Sequence, residues 1–478
     1  MLVHMDKLTK IVATIGPACD SEEKIISLIQ NGVNVFRFNF KHNTIDWHAD
    51  RIKRVNSIAH KLGVPIGTLI DLAGPEIRII MPFDQLSLKE NEEIVFGLAL
   101  YKKKGVKGLS ITHPEIIEHL KHGQVLLADD GMFSFEVVKK GKDYFLKSHT
   151  DGILLNNKSL NIPGAQIPLS SLIDRDLEGL KLAAKHEVDF IALSFVRSPS
   201  DIQTLRKEAK KFGVTGLVVS KIETQKSLDN IDKIIDATDG IMVARGDLGV
   251  EIPIEQVPFY QKMMIRKCLV AGKFVITATQ MLQSMIAQPI PTRAEVSDIA
   301  NAIYDHTDAI MLSGETASGK YPEKAVDIMR KTALFYEPKP EHDIRSYVQY
   351  SVKDTGAMIC DAAYNLYRRY VVAKQPISGF IVFTKTGNTA RLLSRYRPQV
   401  PIYAFTPSVE VCESLTINFG IRPYLSEFDN SLHAEMVAIK QAVRILQDKI
   451  EQKGNSKFIV VHGDLWGQGK GATTIRII

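Results

Sequence analysis

Lys221, Glu223 and Asp247 carry the most informative chemistry in the chain. An apolar run at 216–219 leads into Lys221-Ile222-Glu223, and a second, at 240–244, leads into Arg245-Gly246-Asp247. An amphipathic stretch lies between them. Strand, helix, strand with charge at the strand ends is the pattern of a parallel α/β barrel or a doubly wound sheet. Glu223 and Asp247 are 24 positions apart, about one βα unit, which puts two carboxylates on neighbouring strand ends facing one pocket. Two hard oxygen donors suit Mg²⁺, which keeps its other positions for water and substrate oxygens. Lys221 shares a face with Glu223, because side chains alternate along a strand. A cation there is suited to stabilising negative charge that develops during reaction. The competing reading is a surface salt-bridge cluster, since ion pairs at loop starts are common.

Other strand ends add partners. Arg37, Asn39 and Lys41 share one face at period two. Two cations and an amide suit phosphate binding, although Arg37 could simply pair with a carboxylate. Asp71 precedes Leu72-Ala73-Gly74-Pro75, where Gly-Pro forces a turn. Thr279 places a hydroxyl that can hold a carboxylate or relay a proton, though a lone Thr is commonly just a strand residue. Thr384-Lys385-Thr386-Gly387-Asn388-Thr389 follows a strand and opens a helix. Hydroxyls and backbone N–H groups can converge there on a phosphate; plain capping by Asn388 or Thr386 is the alternative. A phosphate held there would belong to an effector, because no pair of carboxylates stands nearby. Residues 314–320 have P-loop spacing but continue with Tyr321, where Ser or Thr is needed, and the glycine run 467–471 reads as a flexible loop.

Eight short apolar strands present these residues, near 10–14, 33–39, 65–71, 188–194, 216–222, 240–244, 273–279 and 308–312. Their spacing implies a (β/α)8 TIM barrel, and the long gap after the third implies an inserted domain. The insert alternates polar and apolar residues, as in EEIVFGL and FSFEVV, with turns at Lys104-Gly105 and Asp130-Gly131. It reads as a small β domain tied to the barrel at both ends, a natural lid. After Pro338-Lys339-Pro340 the pattern restarts, with helices near 354–370, 389–397 and 431–453 and strands near 378–384, 401–406, 457–463 and 473–478. The expected domains are a barrel over 1–76 and 166–337, a β lid over 77–165 and an α/β domain over 338–478.

A chain of 478 residues exceeds one ordinary core. No apolar run approaches a membrane span, and the N-terminus lacks the layout of a secretory signal. Cys19, Cys268, Cys360 and Cys412 are scattered, which fits a reducing cytoplasm. The formal charge of +6 favours anionic metabolites, with no basic stripe for nucleic acid.

These residues sit in longer stretches that resemble the pyruvate kinase family: TKIVATIGPA (9–18), FRFNF-KH (36–42), GPEIR (74–78), LADDG (127–131), NIPG (161–164), SFVR (194–197), SKIE (220–223), GIMVARGDLGVEIP (240–253), ATQML-SMI (278–286), PTRAEVSDIANAIYD (291–305) and MLSGETASGKYP (311–322). The resemblance covers nearly the whole chain. It implies transfer of the phosphoryl group of phosphoenolpyruvate to ADP, giving pyruvate and ATP. It implies Glu223 and Asp247 as Mg²⁺ ligands, Lys221 beside the transferring phosphoryl and the enolate, and Arg37 as the phosphate clamp. Thr279 with the backbone at Gly246 and Asp247 matches the carboxylate cradle, and Thr279 also matches the enolate protonation route. Asn39, His42, Arg78 and Lys158 match nucleotide-side positions. The 384–389 turn matches the effector-phosphate loop, and Trp466–Gly471 the loop that closes over the effector, with AMP or a sugar phosphate as candidates. Lys470 as the lone second phosphate partner favours a sugar monophosphate. Homotetramers are usual in the family.

The departures concern the monovalent cation. Asn39 and Asp71 match the family's K⁺ ligands, but Lys41 replaces a Ser and Leu72 a Thr. Leu72, Ala73 and Ile79 look like the K⁺-independent branch, whereas Glu76 is the K⁺-requiring choice. The expectation is that the Lys41 ammonium takes the cation's place, held by Asn39, Asp71 and Glu76; K⁺ binding with fewer ligands is the alternative. Gln283, Pro168 and Ser170 also depart from the family pattern. Two other functions compete: a catalytically silent metabolite-binding homologue, and a Mg²⁺-dependent lyase acting on pyruvate enolates. The first predicts a broken metal pair or a missing lysine; the second needs neither a lid nor nucleotide-side residues.

Overall fold

The computed structural model describes residues 6–97, 107–164, 169–339, 350, 354–427, 434–449, 456–463 and 472–478. Eight parallel strands close into a barrel: Lys10–Thr14, Val35–Asn39, Gly67–Asp71, Phe190–Leu193, Leu217–Ile222, Gly240–Ala244, Phe274–Ala278 and Ala309–Leu312. Each pairs with its neighbours in sequence, and the first closes on the last through Lys10↔Ala309 to Ala13↔Leu312. Strands packed on both faces must be apolar throughout. Val12, Val35, Leu69, Phe190, Val219, Met242, Phe274 and Ile276 accordingly fill the barrel interior, while Ile11, Phe36, Ile70, Ile191, Val243 and Ile310 belong to the core shared with the surrounding helices.

The helices are amphipathic. In Ile45–Leu62 the buried residues Ile52, Val55, Ile58 and Ala59 recur at three- and four-residue spacing. Thr44 Oγ1 caps its start by accepting from Trp47 N at 3.2 Å, and Gly63 ends it at φ 63°.

The segment after the third strand leaves the barrel as a β module. Its seven-stranded sheet runs Leu160–Asn161, Val125–Ala128, Phe133–Lys140, Asp143–Ser148, Glu93–Phe96, Gly108–Ile111 and Ile79–Ile80. A single bridge between Arg78 and Ser159 joins the two outer strands, so the sheet nearly closes on itself. The strand pair Gln85–Leu88 and Gly152–Leu155 completes it. The turn at Asp130-Gly131 is present, with Asp129, Asp130 and Gly131 all at positive φ; Lys104-Gly105 lies outside the described residues.

The C-terminal α/β domain has a five-stranded sheet in the order Ile421–Leu425, Ile402–Thr406, Gly379–Phe383, Phe458–His462, Thr474–Ile477, the last antiparallel. Two elements escape sequence reading, the short helix Val409–Ser414 and the strand Ile421–Leu425. Pro423 hides that strand; it is tolerated because the strand is an edge. This domain clasps the N-terminal end of the barrel. Arg397 Nη2 pairs with Asp308 Oδ2 at 2.6 Å, and Phe419 N donates to Asp308 Oδ1 at 3.0 Å. No helix among the described residues is long and apolar enough to cross a membrane.

Candidate active site

The C-terminal ends of the barrel strands gather a buried ionic cluster. Arg37, at the middle of the second strand, aims Nε and Nη2 at Asp71 Oδ2 (2.8 and 2.7 Å) and Nη1 at Thr14 Oγ1 (2.9 Å). Lys221 Nζ lies 2.8 Å from Glu223 Oε1 and 3.2 Å from Asp71 Oδ1, and donates to Ser194 Oγ at 2.8 Å. All four charged groups are buried. Burial pulls the Lys221 ammonium toward neutrality, but Asp71, Glu223 and Asp247 overcome it and hold the pKa above its ordinary value. Burial likewise opposes the Asp71 charge, and Lys221 and Arg37 win, leaving its pKa lowered. Glu223 goes the other way: burial dominates and its pKa is raised despite Lys221. Its Oε2 accepts from Phe195 N at 2.6 Å, while Oε1 accepts no hydrogen bond and has the Lys221 ion pair alone. Asp247 sits in the first turn of helix Arg245–Glu251. Its charge acts on both Lys221 and Glu223.

Thr279 follows the seventh strand at φ 68°, a conformation costly for a β-branched residue. Its Oγ1 accepts from Gly246 N at 2.8 Å and donates to Ala278 O at 2.6 Å. Arg245 fixes the turn by donating to Thr279 O at 2.7 Å while paired with Asp298 at 2.7 Å. Phe195 is a second strained residue, at φ 53° beside Glu223.

The inserted domain reaches this end of the barrel. A cavity of about 310 Å³ opens between the two, lined by Glu76, Ser159, Asn161, Arg197, Asp247 and Glu251 among others. The Asn161 side chain hydrogen-bonds Glu251, whose carboxyl burial pushes up to about 7. Arg78 pairs with Glu76 Oε2 at 2.8 Å and donates to Asn157 O at 2.8 Å. Lys158 pairs with Asp129 at 2.8 Å within the insert. His42 is exposed, and its carbonyl accepts from His48 at 2.9 Å and Arg175 at 3.0 Å. Lys41 Nζ lies 3.7 Å from Glu76 Oε1 and 5.0 Å from the centre of the Phe195 ring. Asn39 Oδ1 accepts the Lys41 backbone N–H at 3.2 Å, so what it holds is the main chain.

The turn 384–389 lies far along the chain, in the other domain. Thr384 Oγ1 accepts from Gly387 N at 3.0 Å, and Gly387, at φ 79°, begins helix Asn388–Ser394 without a side-chain cap. Arg391 Nη1 donates to Thr386 O at 3.0 Å. Trp466 and Lys470 lie outside the described residues, as does Pro168. The 314–320 segment is structural: Glu315 is buried and accepts from Leu282 N and Ser313 N at 3.0 and 2.7 Å. Two buried residues near this end of the barrel have no local signature in the sequence: Ser194, within SFVR, with nothing to mark its hydroxyl, and Asp176, in the first turn of helix Asp174–Lys185.

Two family models match the chain: "Pyruvate kinase, barrel domain" over residues 6–326 and "Pyruvate kinase, alpha/beta domain" over residues 363–478. The chain belongs to the pyruvate kinase family. Relatives named pyruvate kinase include one from Bacillus licheniformis, 41% identical over 468 residues, covering 96% of this chain and 76% of the relative. One from Geobacillus stearothermophilus is 36% identical, covering 98% and 82%. One from Staphylococcus aureus (strain NCTC 8325 / PS 47) is 41% identical, covering 89% and 73%. The fold, a closed eight-stranded barrel with a nearly closed second sheet and a separate α/β domain, is that of the family, and the chain is a phosphotransferase.

Proposed function

We propose that this chain transfers the phosphoryl group of phosphoenolpyruvate to ADP at the Arg37–Asp71–Lys221–Glu223 cluster, in the cytoplasm, with Mg²⁺. The observation that carries the reading is Lys221, a buried ammonium kept charged by three carboxylates at the barrel mouth. Such a group stabilises both a transferring phosphoryl and the enolate it leaves. Arg37, held by Asp71 and Thr14 through all three nitrogens, keeps one further N–H on each Nη for phosphate oxygens. Thr279, with the backbone at Gly246 and Asp247, holds the substrate carboxylate. In the reaction the bond from the enol oxygen to phosphorus breaks, and a β-phosphate oxygen of ADP takes the phosphoryl group. The enolate carbon then takes a proton through the Thr279 side, giving pyruvate.

Glu223 and Asp247 fit Mg²⁺. Glu223 Oε1 is a buried oxygen without a hydrogen bond. A bound Mg²⁺ would neutralise phosphate charge and align substrate oxygens. Asn39, His42, Arg78 and Lys158 face the nucleotide, and closure of the insert excludes water. Lys41, with a side chain only 17% exposed and set against Glu76 and the Phe195 ring, supplies the monovalent charge in place of K⁺. The 384–389 turn, with Trp466 and Lys470, binds a phosphorylated effector, a sugar monophosphate or AMP. Ile254 and Phe259 stand exposed at 75% and 66%, which suits assembly, a homotetramer in our reading.

The test is the initial rate of pyruvate formation from phosphoenolpyruvate, ADP and Mg²⁺ with tetramethylammonium as the sole monovalent cation, KCl then being titrated in. Full activity before KCl is the expected result. Activity that appears with KCl alone keeps the kinase and discards the Lys41 role. No activity under either condition, even with sugar phosphates and AMP, points to a silent homologue. Lys41→Ser should create a K⁺ requirement; a variant still indifferent to K⁺ would sink the internal-ammonium idea.

A further inference from the structure

The inserted domain joins the barrel through two strands of chain, and one buried carboxylate holds both. Asp176 lies in the first turn of helix Asp174–Lys185 and is fully buried. Its Oδ1 accepts from Ala73 N at 2.8 Å and Gly74 N at 3.4 Å. Its Oδ2 accepts from Gly74 N at 3.2 Å and Ile173 N at 3.0 Å. Ala73 and Gly74 form the exit from the third barrel strand toward the insert, and Ile173 is where the chain has returned. Among the described residues no cation pairs with Asp176. A carboxylate buried without a counter-ion is costly unless backbone N–H groups satisfy it, and here those groups come from the exit toward the insert, Ala73 and Gly74, and from Ile173, the N-cap of Asp176's own helix, by which the chain has returned to the barrel.

The same hinge touches the catalytic lysine. The Leu72–Ala73 peptide group is planar and moves as one unit. Its N–H donates to Asp176, and its carbonyl accepts from Ser194 Oγ at 2.8 Å. Ser194 Oγ in turn accepts from Lys221 Nζ at 2.8 Å. Gly74 leaves no slack beside this path. It sits at φ 68°, and a Cβ there would come within 2.9 Å of Ser194 Cβ. Displacing the hinge therefore displaces either Ser194 or the peptide it holds.

We propose that Asp176 is a positioning residue that clamps both hinges of the inserted domain and, through the Leu72–Ala73 peptide and Ser194, couples the seating of that domain to the orientation of Lys221. The inference rests on the phosphoryl-transfer reading for what the coupling does. With the lid seated and Lys221 aligned together, the phosphoryl group meets ADP. With the coupling loosened, water enters: its oxygen takes the phosphoryl group and gives up a proton, and the enolate is protonated to pyruvate without ATP being made.

Asp176→Asn tests this in the full-length enzyme. The side chain keeps its shape, but its NH₂ group meets a hinge N–H where an acceptor is needed. With Mg²⁺, ADP and phosphoenolpyruvate, kcat should fall by about ten- to a hundredfold, and KM should change with it. Pyruvate should exceed ATP in the products, against a ratio of one for the parent enzyme. A merely structural role would lower the rate in step with the folded fraction; KM unchanged and a ratio of one in folded D176N overturn the proposal. Amide hydrogen exchange on the unsubstituted enzyme covers the case in which D176N does not fold. The Ala73, Gly74 and Ile173 amides should exchange as one unit and slow together on adding Mg²⁺ and phosphoenolpyruvate. Independent exchange of Ile173 overturns the clamp. The exchange test needs no turnover, so an inactive parent enzyme would count against the phosphoryl-transfer reading and leave the clamp to be judged on exchange.

Discussion

The two ends of the barrel each bury a charged cluster, and they differ in how completely it is satisfied. At the N-terminal end Asp308 is saturated. Its Oδ1 accepts from Phe419 N, and its Oδ2 accepts from Arg397 at 2.6 Å and Val275 N at 3.1 Å. At the C-terminal end Glu223 Oε1 has the Lys221 ion pair and accepts no hydrogen bond, while left-handed backbone occurs at both ends, at Thr279 and Phe195 here and at His306 and Arg397 there. Saturated charge fixes a geometry, here the docking of the C-terminal domain. Unsaturated charge leaves something for a ligand to complete. Residue type alone does not separate the two ends, since both use an Arg–Asp pair, Arg37–Asp71 at one and Arg397–Asp308 at the other.

The contrast breaks if the same substitution chemistry gives the same signature at both ends. Lys221→Met should produce the largest effect, a fall in kcat of about a hundred- to a thousandfold, the scale of losing one stabilising group at developing charge. Its thermal cost should be the smaller of the two variants, because Glu223, already biased toward its protonated form by burial, takes up a proton once the ammonium is gone. Steady-state kinetics beside calorimetry reads both. Arg397→Ala should do the reverse. It strands Asp308 in a buried interface, which costs about 3–5 kcal/mol, a drop of roughly 10 °C in Tm, with kcat per folded molecule little changed. A comparable kcat loss in R397A would mean that the far end participates in the chemistry.

Much of this was legible because barrel chemistry is written in local order. The end of a βα unit is fixed by its strand, so Arg37, Asp71, Lys221, Glu223, Asp247 and Thr279 could be placed at one end of the barrel from strand spacing. Groups that act through long-range contacts were not legible. Asp176 serves segments 102 and 103 positions earlier in the chain, and no local pattern distinguishes it from an acid that favours a helix N-terminus. Ser194 gains meaning only when the neighbouring strand brings Lys221 to it. In the C-terminal domain the edge strand Ile421–Leu425 was lost because its Pro423 is a signal against strands in general and acceptable at an edge in particular. Nor could strand spacing say which groups meet Lys41: Glu76 and the Phe195 ring face the ammonium, while Asn39 takes the backbone N–H.

The smallest effect sharpens the comparison by asking whether the docking end is saturated everywhere. Asp189, just before the fourth barrel strand, accepts from Thr68 N and Oγ1 at 2.7 and 2.9 Å, and its pKa is raised well above the ordinary range by burial and then by Glu413 of the C-terminal domain. Burial, with Glu187 adding to it, pushes Glu413 from 4.5 to about 7. A carboxyl whose folded pKa exceeds its unfolded one binds more protons when folded. Its contribution therefore falls as pH rises from about 4.5 to about 7, and above that the folded state carries the full cost of the charge. Glu413→Gln removes the charge and keeps the shape. Its Tm should rise by a few degrees at pH 8 and change little at pH 5, a gain tempered by the partial exposure of Glu413. An equal shift at both pH values would show that the gain comes from packing, and that the carboxyls across this interface are as well matched as Arg397 and Asp308.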